Sequence, residues 1–308
     1  MVGVVGVAEQ WRRIGAYGVL RDGAGRVLLA RRSDRSPSPG AWQLPGGGIE
    51  HAEHPARAVE RSFAAQAGLA VAAAGIRAAV ADVATFPAEG VALHTDRLVF
   101  DVEVRAGGSG PAGGSDELSW CTPGEAAARP LVPFTAELLG LPVAPLPAGP
   151  PRALPPDLAA PDRDRRQRFA AYGLVTDPAG RVLLTMIADG YPGAGRWHLP
   201  GGGTDHGEQP AAGLLRELVE EAGQLGRVVE LIAVDNLHNP AALGPEGRPL
   251  DWHGVRVIYR VRVDAPTEAV VTELAGGSTA KAAWFAPEQV SGLSMTDVAA
   301  RATGQRGR

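Results

Sequence analysis

Two stretches of this chain repeat each other at a fixed spacing, and that repeat limits its folds more than any other feature. Ala16-Tyr17-Gly18 returns as Ala171-Tyr172-Gly173, Arg26-Val27-Leu28-Leu29 as Arg181-Val182-Leu183-Leu184, Trp42 as Trp197, and Gly46-Gly47-Gly48 as Gly201-Gly202-Gly203. Each pair lies 155 positions apart, as 171 does from 16, and Ala16 to Gly68 aligns with Ala171 to Gly223 without a gap. Solenoid repeats are only ~20–50 residues long, so the pattern predicts a tandem duplication of one whole domain. A chain of 308 residues, 45% of them hydrophobic, has the material for two such cores.

The second copy carries its chemistry between Leu199 and Gly223. Gly201, Gly202 and Gly203 predict a sharp turn that lets backbone approach a ligand. A helix is predicted from about Glu208, with Pro210 in its first turn and Gly223 as its stop. Ala211, Leu214, Leu215, Leu218 and Ala222 form its buried stripe. Glu217, Glu220 and Glu221 stand at i, i+3 and i+4, so their carboxylates converge within one turn. Like charges at that spacing cost an isolated helix ~0.2–0.5 kcal/mol per pair. Two readings follow: a solvated acidic face, or a cluster that holds a hard divalent cation, since such ions take oxygen ligands.

Gly202, Glu208, Arg216, Glu217, Leu218, Glu220, Glu221 and Gly223 together resemble the Nudix box, G-x5-E-x7-R-E-U-x-E-E-x-G-U with U aliphatic. Only Gln224, in the last aliphatic position, departs from it. The resemblance implies an α/β protein of two tandem Nudix α/β/α sandwich domains with mixed β-sheets. It also implies metal-dependent hydrolysis of the diphosphate bond in a nucleoside diphosphate linked to another group, such as a nucleoside triphosphate, ADP-ribose or a nucleotide sugar. Under it, Mg²⁺ (or Mn²⁺) sits on Glu217, Glu220 and Glu221, with the Gly201 carbonyl as a further ligand. Arg216 orients a glutamate, Glu208 braces the loop and the metal from behind, and Gly201, Gly202 and Gly203 face the substrate. Related hydrolases often add an acidic residue outside the box. Glu246 and Asp251 are the candidates, within the polar segment Asp235 to His253, read as a long connection between strands Val228–Val234 and Val255–Val263. Pro240 stands where some ADP-ribose hydrolases of the family carry a proline.

The first copy departs where the chemistry sits. Gly47, Glu53, Arg61, Phe63, Gly68 and Leu69 fit the box, but Ser62, Ala65 and Gln66 stand where the second copy has Glu217, Glu220 and Glu221. Neutral side chains of this kind cannot hold a hard dication against water, so the first copy reads as a retained scaffold without hydrolytic activity. Prolines crowd Leu141 to Pro161 and predict a semi-rigid spacer. The expected division is 1–140, a degenerate domain; 141–165, a linker; and 166–308, the catalytic domain. Ala106 to Ser115 is Gly-rich and reads as a loop, and the basic tail from Arg301 as a frayed end.

Composition narrows the partners. A net charge of −4 gives no global attraction to nucleic acid or anionic membrane. No apolar run reaches the ~18 residues of a membrane span, and the single cysteine, Cys121, fits a reducing cytoplasm. The resemblance implies a small-molecule nucleotide as partner, and composition points to no membrane and no nucleic acid. The two copies are expected to pair as an intramolecular pseudo-dimer, because many enzymes with this box work as homodimers. The competing class is a non-catalytic nucleotide-binding or sensing protein on the same fold. The intact Glu217, Glu220 and Glu221 favour the enzyme.

Overall fold

The structure is a computed structural model, and it describes residues 8–33, 36, 38–105, 118–146, 154, 158, 160, 162–243, 247–272 and 277–305. The chain falls into two compact units. One comprises Met1–Arg166 with His238–His253, and the other Gln167–Leu237 with Gly254–Arg308.

In the first copy, β1 (Glu9–Val19), β2 (Val27–Arg31), β3 (Trp42–Gln43) and β4 (Gly46–Gly48) lead into α1 (Pro55–Ala67), followed by β5 (Val71–Phe86), β6 (Val91–Val104) and β7 (Leu118–Cys121). One sheet has the order β4-β1-β6-β5, and a smaller one the order β3-β2-β7. Strands β1 and β6 run parallel, while β1–β4 and β5–β6 are antiparallel, so the larger sheet is mixed, as expected. Helix α1 starts at Pro55 behind a His54 cap and stops at Gly68, whose φ of 63° is left-handed. Its Phe63 is fully buried, and a Cβ on Gly18 would lie 2.5 Å from that ring. The glycine is what lets helix and strand close up. The short helices α2 (Pro123–Ala127) and α3 (Pro133–Leu138) follow. Cys121 is buried and free, packed in the core with Tyr17, Leu29 and Phe134.

The second copy repeats the order with β8 (Arg165–Thr176), β9 (Val182–Ile187), β10 (Trp197–His198), β11 (Gly201–Gly203), α4 (Pro210–Ala222), β12 (Arg227–Leu243), β13 (Pro249–Arg262) and β14 (Thr279–Phe285). They form a seven-stranded sheet of order β10-β9-β8-β13-β12, with β11 on β8 and β14 on β9. Helices α5 (Pro287–Val290) and α6 (Asp297–Ala302) close the copy. Both hairpin turns are fixed the same way. Arg26 and Arg181 each donate backbone N–H and side-chain Nε to the aspartate four residues earlier, Asp22 and Asp177.

Two expectations change, those on Asp235 to His253 and on the tail from Arg301. The segment Asp235 to His253 is not a connection: β12 runs on to Leu243 and β13 begins at Pro249, so most of it is strand. Its polar residues misled the reading, because a hairpin extension with exposed faces has no apolar alternation to show. Within the proline-rich segment, Leu154 and Leu158 pack against Phe86, Val91 and Leu93. Arg301 belongs to α6 and pairs with Asp235 instead of fraying. The Gly-rich loop at Ala106 to Ser115 lies outside the described residues. Among the described residues, no helix is long and apolar enough to cross a membrane.

Candidate active site

Strand β11 hydrogen-bonds antiparallel to β8, with Gly201 opposite Tyr172, Gly202 opposite Ala171 and Gly203 opposite Ala170. Each glycine makes room for something specific. At Gly201, φ is 129° and a Cβ would meet Ala171 O at 2.2 Å. At Gly202 a Cβ would sit 2.9 Å from the Glu217 carboxylate, and at Gly203 it would be 2.3 Å from Arg168 Nη2. The loop is thus bare backbone with the Glu217 carboxylate and the Arg168 guanidinium laid across it.

Helix α4 brings the carboxylates to that loop. Pro210 occupies its first turn and Gly223, φ 64°, ends it. Leu214, Leu218 and Ala222 are fully buried. Gln224 is buried as well, which explains how a polar residue replaces an aliphatic one in the box. Its Nε2 donates to Ala222 O (2.9 Å) and Thr267 Oγ1 (2.9 Å), and its Oε1 accepts from Thr267 N–H at 3.0 Å. A buried amide with its capacity met in this way costs little.

Arg216 is the hub. Its Nε and Nη2 donate to the two oxygens of Glu208 at 3.0 and 3.2 Å, and Nη1 reaches Glu217 Oε1 (3.1 Å) and Glu220 Oε2 (3.0 Å). Nη2 also donates to Gly203 O at 3.3 Å. One guanidinium therefore ties the loop to three of the four box carboxylates, a task its planar fork suits. The bond from Glu208 above all, and the charge of Glu217, hold Arg216 firmly protonated. Glu208 in turn accepts from Asp205 N–H at 2.8 Å, and Gly213 leaves the space for it, since a Cβ there would lie 2.7 Å from Glu208 Oε2.

Among the described residues, no arginine pairs with Glu221. It is 4% exposed, accepts from Gly201 N–H at 2.8 Å, and accepts from the Thr279 hydroxyl at 2.5 Å. Burial pushes its carboxyl up to about 7, against those two hydrogen bonds, and the charges of Glu217 and Glu220 push the same way. Burial also raises Glu217, opposed by Arg216. Three glutamates thus meet at one end of the helix, and of these Glu217 and Glu220 pair with Arg216. The donor set is all oxygen and its negative charge is under-compensated, which fits a hard divalent cation such as Mg²⁺ or Mn²⁺.

The sequence-predicted residues divide as follows. Gly201, Gly202, Gly203, Glu208, Arg216, Glu217, Glu220 and Glu221 come together. Glu246 lies outside the described residues. Asp251 belongs to the first unit, where its side chain meets His51, His238 and Arg165. Sequence reasoning missed Thr279, which lies 58 positions from the carboxylate it contacts and carries no local signal. It also missed His198, whose Nδ1 lies 2.6 Å from Thr296 Oγ1 and whose ring packs on Tyr172. Burial, then the charges of Arg256 and Arg196, lower that imidazole to about 4, so it is neutral at pH 7.

Comparison with known proteins identifies the family. The family described as the NUDIX domain matches residues 11–140 and 166–303. An RNA pyrophosphohydrolase from Acidiphilium cryptum (strain JF-5) is 44% identical over 63 residues, which are 18% of this chain and 38% of that protein. The match therefore spans well under half of that relative. Among solved structures, a MutT NUDIX hydrolase from Burkholderia pseudomallei is 26% identical, covering 46% of this chain and 99% of that one at a TM-score of 0.35. The MutT protein from Methanosarcina mazei Go1 is 17% identical, with 46% and 93% coverage and a TM-score of 0.37.

Proposed function

This chain belongs to the NUDIX domain family, and from that premise we propose that its second copy is a metal-dependent hydrolase of the diphosphate bond in a nucleoside diphosphate joined to a further group. The observation that carries the reading is the convergence of Glu217, Glu220 and Glu221 on the Gly201–Gly203 loop. There the buried Glu221 accepts from Gly201 N–H at 2.8 Å and, among the described residues, pairs with no cationic side chain. The 44% identity to a pyrophosphohydrolase over a short stretch supports the same reaction class.

Mg²⁺ or Mn²⁺ would be held by Glu217, Glu220 and Glu221, with the Gly201 carbonyl beside them. Such an ion, when bound, neutralises phosphate charge and makes water a better nucleophile at neutral pH. The chain's own part is positioning. Arg216 fixes the rotamers of Glu217 and Glu220, Glu208 anchors Arg216, and Gly202 and Gly203 leave room for the Glu217 carboxylate and the Arg168 guanidinium against the loop.

The first copy is the non-catalytic partner in this reading. The division proposed is 1–140, 141–165 and 166–308, with the copies held as an intramolecular pair. The test is a panel of nucleoside triphosphates, ADP-ribose, nucleotide sugars and 5′-triphosphorylated RNA, each with Mg²⁺ or Mn²⁺. Released phosphate is read directly and after coupling to phosphatase. Turnover of one class that vanishes on chelation is the expected result. Tight nucleotide binding with no turnover across the panel would move the protein to the sensing class.

A further inference from the structure

Three of the seven histidines of the chain, His51, His238 and His253, meet in the first unit around one carboxylate, Asp251. His238 Nε2 lies 2.8 Å and His51 Nε2 3.0 Å from the same oxygen, Asp251 Oδ1. The one atom offered by each of these three side chains lies within 4.8 Å of the other two. We propose that His51, His238 and Asp251 form a transition-metal site for a Zn²⁺-type ion, separate in ligand chemistry from the glutamates of the box.

The donor set argues for that class. Two imidazoles and one carboxylate suit Zn²⁺ and its first-row neighbours, whereas Mg²⁺ takes oxygen ligands. Bonds of ~2.0–2.2 Å in tetrahedral geometry place ligand atoms ~3.3–3.5 Å apart. The two His–Asp251 contacts, at 2.8 and 3.0 Å, need to relax outward by about half an ångström to admit an ion. His51 is the member that hydrogen bonding does not account for. Its Nε2 is buried and, despite its closeness to Asp251, makes no hydrogen bond of acceptable geometry.

The surroundings orient the group. The His51 ring is edge-on to His238, centroids 5.6 Å apart, and to the fully buried His253, 5.3 Å. Asp251 N–H donates to Asp164 O at 2.8 Å, and Arg165 Nε sits 3.4 Å from the carboxylate's other oxygen. His238 is exposed, which leaves an entry path and room for water as a fourth ligand. An ion there would pin the hairpin tip His238–His253 to the loop preceding α1 within the first unit.

The experiment uses the full-length chain, freed of metal and equilibrated with Zn²⁺ in the presence of excess Mg²⁺. One Zn²⁺ per chain is expected. His51→Ala and Asp251→Asn should each weaken it by more than the ~10–100-fold that loss of a mere supporting residue costs. The Glu217→Gln chain should keep its Zn²⁺. Co²⁺ in place of Zn²⁺ gives a second reading on the unmutated chain, independent of whether the variants fold. Intense visible bands of nitrogen-ligated, low-coordinate cobalt support the site. The weak bands of cobalt in an all-oxygen shell, or Zn²⁺ binding indifferent to His51→Ala and Asp251→Asn, overturn it. The proposal stands apart from the nucleotide reading, because neither outcome depends on turnover.

Discussion

In the first copy, Gln66 donates through Nε2 to Gly46 O at 2.8 Å and accepts from Gly46 N–H at 3.3 Å. In the second, Glu221 stands in the same place and also accepts from Gly201 N–H, but a carboxylate has no donor for the carbonyl. The braces behind the two helices are alike. Arg61 forks onto Glu53 at 2.8 and 2.7 Å and reaches Gly48 O, as Arg216 does with Glu208 and Gly203. What differs is the charge left over. Against the upward pull of burial, Arg61 holds Glu53 below its ordinary value, so the first copy's electrostatics are settled. In the second copy, burial and mutual repulsion hold Glu221 and Glu217 above theirs. The fold survives both arrangements. The proposed chemistry needs the unsettled one.

The largest effect should come from removing that charge. Glu217→Gln and Glu221→Gln in the full-length chain are each expected to lower turnover by ~1,000-fold or more at saturating Mg²⁺, equivalent to about 4 kcal/mol of lost stabilisation. Far-UV circular dichroism should be unchanged. Because the first copy stays intact in these variants, whatever activity remains measures it directly. Near wild-type rates in both variants would dismiss the assigned site, and a substantial residual rate on one substrate would locate activity in the first copy.

A second test exploits the raised carboxyl of Glu221. Without metal, the folded protein retains that proton up to about pH 7, while the unfolded chain releases it near 4.5. Stability therefore falls as pH rises from about 4.5 to 7, and Glu221 withdraws about 3 kcal/mol across that window. Chelator-treated protein should show this slope in urea unfolding, and Glu221→Gln should flatten it. An unchanged slope would mean that Glu221 is not the group that resists ionisation.

The reciprocal change belongs to the first copy. Gln66→Glu puts a carboxylate opposite the Gly46 carbonyl, deletes a donor from a partly buried pair, and should cost about 1–3 kcal/mol. The loss should be read from the thermal midpoint and should shrink on acidification, as the new carboxyl protonates and regains a donor. Equal stability at all pH values would show that the amide closure of the loop is incidental.

The parts of this arrangement legible in the sequence were those written locally. The spacing of Glu217, Glu220 and Glu221 follows from a 3.6-residue period, and the needs for glycine at position 201 and at the helix stop, Gly223, follow from φ above zero. The duplication exposed the first copy's losses because Ser62, Ala65 and Gln66 line up by number. Long-range partners were not legible. Thr279 approaches Glu221 only because β14 lies on β9, and nothing around Thr279 advertises it. Asp251 read as an acidic residue near a box, but the sequence could not show that the tip of the β12–β13 hairpin belongs with the first unit. Polar residues on the extended strands hid the hairpin itself.

The smallest expected effect is also the most direct probe of the difference between the loops. Gly47 and Gly202 are equivalent by position, and neither has the positive φ that would itself demand glycine. A Cβ at Gly47 would meet Ser62 Oγ at 3.6 Å, an ordinary contact, while a Cβ at Gly202 would lie 2.9 Å from the Glu217 carboxylate. Gly47→Ala should therefore stay within about 0.5 kcal/mol of the parent. Gly202→Ala must move Glu217, whose oxygen is tied to Arg216 at 3.1 Å, so the carboxylate either swings away or drags the guanidinium with it. Metal affinity, titrated with Mn²⁺ by its paramagnetic effect on water relaxation, should fall by ~10-fold, with little change in the thermal midpoint. If Gly202→Ala binds Mn²⁺ as well as the parent, the contact between loop and carboxylate plays no part in the metal site. If Gly47→Ala destabilises the chain as much as Gly202→Ala does, both loops are constrained by backbone packing alone, and the distinction between them rests on the helix side chains only.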